Sequence, residues 1–204
     1  MNRHSKAAES VAAATGLRPV VVLGVCGSIA AHKAVDIASQ LTKAGCEVHV
    51  VLTEAAQKFV TAIPFRTLSR QPVLTDLWEE EGWMPGHINL ADAADLLLVA
   101  PATAHMMAKL ALGLADDALS CVALALNPKA RLLVAPAMNG HMWTHPATRR
   151  NLEILEARGV EFIGPETGLL SCGYEGPGRL APVETITARA QELLNRPSAR
   201  PPAA

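Results

Sequence analysis

The stretch Arg131–Trp143, RLLVAPAMNGHMW, decides how the chain is read. Its apolar run Leu132–Ala135 has the length of a short buried strand and is too short for an ordinary helix. Pro136 has no N–H to give to a ladder, so the strand is expected to stop there. Beyond it, Asn139 brings an amide to the C-terminal end of the strand, beside Met138, Met142 and Trp143. In open α/β sheets that end of the strands is where ligands bind. By themselves the same residues also describe a plain strand-to-helix turn with asparagine as the cap.

The same punctuation recurs on either side. Pro19–Val25, PVVVLGV, reads as a buried strand and runs through Cys26-Gly27-Ser28 into a helical pattern from Ile29 to Ala44, closed by Gly45. A strand, a Gly-Ser turn and a helix aim backbone N–H groups at an anion, and Ser28 can cap the helix or bond a phosphate oxygen. Neither GxGxxG nor a GKS/GKT sequence is present. Cys46–Leu52 is the second strand, and Thr53 follows it, placed beside the first turn if the strands are parallel neighbours, or capping a helix over Glu54–Val60. Residues 61–86, with Pro64, Pro72, Pro85 and the acidic Glu79-Glu80-Glu81, read as irregular and solvated. Asp95–Ala100 is the third strand, ending at Pro101, with Thr103 capping a helix that carries Lys109; Asp116-Asp117 open another helix over Ala118–Leu126. After the opening stretch, His145-Pro146 leads into a helix ending at Gly159, Glu161–Ile163 is a fifth strand, and Pro182–Asn195 is the closing helix. Five β-α units in sequence predict an α/β fold, a doubly wound parallel sheet of the Rossmann/flavodoxin-like, three-layer kind in a single domain over 19–195.

Composition removes several function classes. The 204 residues carry a net charge of −1, which offers no field for nucleic acid or an anionic membrane. No apolar run approaches the ~18 residues that span a bilayer, and the Ala-rich N-terminus with Glu9 lacks a signal-peptide core. With three Trp, three Phe and one Tyr, a base-stacking platform is not expected. The four cysteines show no CxxC spacing, which fits reduced thiols and a cytoplasmic location. Residues 1–18 and 196–204 read as mobile tails.

Four further residues ask for chemistry. His87 sits near a helix start, where a cap or a surface role is the ordinary explanation. His141 and His145 are spaced as zinc ligands can be on a helix, but Pro146 and the lack of a third ligand argue against a metal, and none is expected. Gly164–Gly178, GPETGLLSCGYEGPG, reads as a glycine-rich mobile loop, and a cysteine there, Cys172, is not a core residue.

Four motifs agree on a family. PAMNGHMW resembles the PxMNxxMW motif of the flavin-dependent cysteine decarboxylases, which act on phosphopantothenoylcysteine or on the C-terminal cysteine of a peptide. GSIAAHK resembles that family's GSIAAYK, with His32 in place of tyrosine. HINLADAADLLLVAPAT resembles its HIxLxxWAD–strand–APxxANT block, with Ala94 at the tryptophan and His105 at the asparagine. SCGYEGPGRL resembles its ACGxxGxGRM. The likeness runs from Val20 to about Leu194.

The resemblance implies FMN as cofactor, held by Gly27, Ser28, Thr53, Pro101, Ala102, Thr103, Ala104 and Ala137. It further implies His87 as the catalytic base, Cys172 as the proton donor, and Asn139 and Met142 as the substrate contacts. When the cysteine amine is acylated no Schiff base can form, so the electrons left by CO₂ need another sink. Oxidation of CH₂–SH to a thioaldehyde supplies one β to the carboxylate, and loss of CO₂ then gives an enethiolate. In members with the loop cysteine the product is the saturated thiol, and those without it stop at the enethiol. The substrate implied first is phosphopantothenoylcysteine, in coenzyme A synthesis. The alternative is a peptide C-terminal cysteine, which His105 favours; a non-catalytic regulatory flavoprotein ranks below both. The flavin of this family lies at the seam of a trimer with the histidine supplied across it, so a homotrimer or a multiple of trimers is implied.

Overall fold

The computed structural model describes residues 18–78 and 86–196. The expected tails, apart from Arg18 and Arg196, and the Glu79-Glu80-Glu81 and Pro85 part of the irregular segment, lie outside the described residues. Six strands form one parallel sheet: β1 (Val20–Val25), β2 (Glu47–Leu52), β3 (Val73–Leu74), β4 (Leu96–Ala102), β5 (Arg131–Pro136) and β6 (Glu161–Phe162). Their order is β3-β2-β1-β4-β5-β6, and every neighbouring pair is parallel. The order reverses between β1 and β4, the switch point at which such sheets open a crevice. The fold is therefore the doubly wound parallel sheet that the β-α alternation predicts, with its strands in the Rossmann order.

Helices cover both faces because the strands are apolar on both. Val21, Leu23 and Val25 of β1, with Leu96, Leu98 and Leu133, face α1 (Lys33–Lys43), α2 (Ala62–Ser69) and α8 (Val183–Leu194). The alternate residues Val22, Leu97, Val99 and Val134 face α3 (Gly86–Ala93), α4 (Ala104–Leu112), α5 (Ala118–Leu124) and α7 (Pro146–Ala157). Strands buried on two sides lose the polar alternation of a half-exposed sheet, so they read as continuous valine and leucine runs. Gly24 lets α5 pack close: a Cβ there would lie 2.3 Å from Leu119 Cδ1 and would force that side chain to shift.

Four local expectations are corrected. Pro101 does not end its strand, since β4 runs on to Ala102, whereas β5 does stop at Pro136, which still pairs with Ala102 across a register shift. A proline still offers its carbonyl, and that of Pro101 accepts the Cys26 N–H at 3.2 Å. The segment 61–86 contains α2 and the edge strand β3; Pro64 falls in the first turn of α2, where its missing N–H costs nothing, and Phe65 anchors it in the core. The helix after Ser28 begins as a 3₁₀ turn, Ile29–His32, before α1. Lastly, the glycine-rich stretch is an antiparallel hairpin, β7 (Glu166–Leu169) and β8 (Glu175–Arg179), lying outside the main sheet.

Candidate active site

A cleft of about 470 Å³ opens at the C-terminal ends of β1, β4 and β5, beside the Gly27-Ser28 turn and under the β7–β8 hairpin. Gly27, Ser28, Thr103, Ala137, Asn139, Met142 and Cys172 all line it. Ser28 caps the 3₁₀ turn through its Oγ, which accepts the Ala30 N–H at 3.3 Å. Among the described residues the backbone N–H groups of Gly27 and Ile29 meet no protein acceptor. Two free donors at a helix start suit an anionic phosphate. Thr103 caps α4, its Oγ1 taking the Met106 N–H at 3.3 Å. Pro101 and Ala102 are buried within β4, behind the lining, and Ala104 begins α4. Ile29, Met142 and Leu169 stand exposed around the mouth, an apolar rim. Free N–H donors at the Gly27–Ile29 turn and apolar residues around the mouth suit a ligand that carries both a phosphate and an apolar ring.

Asn139 and Cys172, distant in sequence, meet here. Asn139 is the N-cap of the short helix α6 (Gly140–Thr144), and its Oδ1 accepts the His141 N–H at 2.8 Å. Its Nδ2 donates to Cys172 Sγ at 3.3 Å. The hairpin is tied down next to this pair, where the Met138 N–H donates to the Gly178 carbonyl at 2.9 Å. Gly178 has φ +135°, and a Cβ on it would lie 2.1 Å from the Met138 oxygen, so only glycine allows the approach. Cys172 is exposed at the hairpin tip. Cys26, at the foot of the same turn as Gly27, is the opposite kind of thiol: burial pushes it up to about 12, which makes it inert.

The other expected residues lie elsewhere. His87 is half-buried on α3 and does not line this cleft. Asn127 fixes the end of that helix by donating Nδ2 to the carbonyls of Ala91, Asp92 and Ala94. Thr53 bonds the end of β1 through its N–H to the Val25 carbonyl, and its Oγ1 accepts the Ala56 N–H. It lines a second cleft, of about 390 Å³, with Gln57, Asp76, Asp116 and Asp117. The turn that follows Thr53 does touch the first cleft's floor, since a Cβ on Gly27 would lie 2.5 Å from Ala55 Cβ. His105 is exposed and absent from the first cleft's lining. His145 accepts the Ala147 N–H through Nδ1 at 3.2 Å and so caps α7. Sequence reasoning missed Tyr174, whose hydroxyl bonds both Asn139 and Gly140. A lone tyrosine among glycines carried no periodic signal.

A family model described as Flavoprotein matches residues 11–195. The chain belongs to the flavoprotein family. Within that family the coenzyme A biosynthesis bifunctional protein CoaBC of Bacillus subtilis is 44% identical over 182 residues, 89% of this chain and 44% of that protein. A probable phosphopantothenoylcysteine decarboxylase of Streptococcus mutans is 42% identical over 175 residues, 85% of this chain and 98% of that one. Among solved structures, a PPC decarboxylase mutant complexed with pantothenoylaminoethenethiol has a TM-score of 0.79 at 31% identity, covering 88% of this chain and 100% of its own. The FMN-dependent cysteine decarboxylase SpaF has a TM-score of 0.76 at 29% identity, covering 87% and 98%. This flavoprotein therefore spans less than half the length of the bifunctional relative and nearly all of the shorter one. Its cofactor class is a flavin, and no helix among the described residues is long and apolar enough to cross a membrane.

Proposed function

We propose that the chain is an FMN-dependent decarboxylase of an N-acylated cysteine, with phosphopantothenoylcysteine as substrate. The observation that carries this is the Asn139 Nδ2 to Cys172 Sγ contact at 3.3 Å, inside a cleft that also holds the free N–H groups of Gly27 and Ile29. The names of the Bacillus and Streptococcus relatives support the substrate. Gly27, Ser28 and Thr103 would hold FMN from the sheet side, with Ala102, Ala104, Ala137 and the Pro101 backbone behind them and Thr53 backing the turn. When bound, the flavin supplies the two-electron oxidation of the cysteinyl CH₂–SH and its later reversal. Asn139 donates to the substrate's amide or carboxylate oxygen, Met142 shapes the pocket, and Cys172 gives its thiol proton to carbon once CO₂ has left. His87 removes a proton as base, the role an imidazole fills most often in such chemistry. Its position outside its own chain's cleft supports a site shared between subunits, in a homotrimer or a multiple of one.

The test has two steps. Purified protein should be yellow and release FMN on denaturation; failure to bind added FMN at tens of micromolar (about −6 kcal/mol) would count against the cofactor. Mass spectrometry after one anaerobic turnover then reads the product. With phosphopantothenoylcysteine the wild type should give the saturated thiol. Cys172→Ser should lose CO₂ yet stall at an enethiol about 2 Da lighter, because a hydroxyl is a far weaker acid than a thiol. Turnover confined to peptides ending in cysteine would transfer the assignment to the peptide substrate.

A further inference from the structure

Asn139 could face a ligand with either end of its amide, and the structure selects one end. Oδ1 has two lone pairs, and two protein donors take them: the His141 N–H at 2.8 Å and the Tyr174 hydroxyl at 3.1 Å. Nδ2 has two hydrogens, and one reaches Cys172 Sγ. Among the described residues the remaining hydrogen is the only unused capacity of the side chain, so Asn139 meets a substrate as a donor. His141 is the neighbour across its own cap, so its N–H is available to any Asn139 in this turn. Tyr174 is the long-range partner, reaching back from the hairpin that carries Cys172.

Tyr174 is itself held from several sides. Its hydroxyl accepts the Gly140 N–H at 3.1 Å while donating to Asn139. Its ring fits between two glycines: a Cβ on Gly140 would lie 3.0 Å from the hydroxyl oxygen, and one on Gly176 would lie 3.0 Å from Cε2. The His141 ring sits 5.6 Å away between centroids. Its backbone closes the tip, with the Tyr174 carbonyl accepting the Leu170 N–H at 2.9 Å. One residue thus joins the hairpin tip, the start of α6 and the Asn139 amide.

We infer that Tyr174 is a positioning residue: its hydroxyl locks the Asn139 amide with Nδ2 toward the cleft and sets Cys172 against that same nitrogen. The lock is a property of the folded chain, while its consequence for turnover rests on the function proposed above. Substrate oxygen and Cys172 sulfur are then held by the two hydrogens of one NH₂ group, which fixes their separation during the closing proton transfer.

Two measurements separate the lock from its consequence. In ¹⁵N-labelled protein the Asn139 side-chain amide, assigned by its loss in Asn139→Ala, reads the lock without substrate. Tyr174→Phe keeps the ring in its slot and should speed exchange of the Nδ2 hydrogens at least about tenfold, the scale of one lost hydrogen bond. Cys172→Ala, a second and milder change, should speed only one of the two. Unchanged exchange in both variants overturns the lock. For the consequence, Tyr174→Phe should lower kcat/KM about tenfold in the wild-type background and less than twofold in the Asn139→Ala background. Equal losses in the two backgrounds would make Tyr174 merely structural. If wild type turned over neither substrate, the proposed function would fail while the exchange result still decided the lock.

Discussion

Two clefts open along the C-terminal edge of one sheet, and they are built from different materials. The first, at β1, β4 and β5, has an apolar rim, free backbone donors and a thiol held by an amide. The second, beyond β2 and β3, is lined by Thr53, Asp76, Asp116 and Asp117, and its acids are already committed. Lys109, buried on α4, bonds Asp116 and Asp117 at 2.5 Å each. Asp117 also caps α5 in a reciprocal capping box with Ser120. The difference separates a site from a joint. In the first cleft the N–H groups of Gly27 and Ile29 have no partner among the described residues; in the second Asp116 and Asp117 share Lys109.

The comparison can be broken in four ways, taken from the largest effect down. His87→Asn should retain flavin and lose about two to four orders of magnitude of turnover, the usual worth of a positioned acid–base group. Near-normal turnover would reduce His87 to a residue of α3 packing. Gly178→Ala should undock the hairpin, because its Cβ cannot coexist with the Met138 carbonyl at 2.1 Å. We expect at least about a hundredfold loss of turnover from misplacing Cys172, with the main sheet still folded by far-UV circular dichroism. An active Gly178→Ala enzyme would mean the hairpin is not part of the site.

Lys109→Met tests the second cleft. It should lower Tm only modestly, because Asp116 and Asp117 keep contact with water and are not orphaned in the core. Turnover per folded molecule should stay within about threefold; a larger fall would place this cleft in the reaction. The smallest effect is on pH dependence. The Lys109 hydrogen bond holds the Asp116 carboxyl below its ordinary range. A depressed carboxylate stabilises the fold above the ordinary value, and that contribution disappears as pH falls through the lowered one. For Lys109, burial pulls the pKa down first, but the hydrogen bonds of Asp116 and Asp117 outweigh it and the net shift is upward. That contribution is present below the ordinary lysine range and lost as pH rises through the raised value. Lys109→Met should therefore flatten both limbs of a Tm-against-pH curve, most visibly the acid one. Limbs of unchanged slope would show that other groups set them.

The sequence by itself determined five of the six strands of the sheet. Runs such as Val20–Val25 and Leu96–Ala100 are buried on both faces, and a strand in that position has one composition wherever the helices lie. Caps were legible for the same local reason: Ser28, Thr103 and Asn139 each bond an N–H two or three residues ahead. The edge strand β3 was not legible, because two residues give no period. The hairpin was hidden by its glycines, which look like flexibility until Met138 and Gly140 are seen packed against Gly178, Pro177 and Tyr174. Only the tertiary structure decided which end of the Asn139 amide faces the cleft. That choice depends on a hydroxyl 35 residues away in the chain, and on the parallel sheet bringing the two segments to the same edge. A hydrogen bond between distant residues leaves no spacing in the sequence by which to find it.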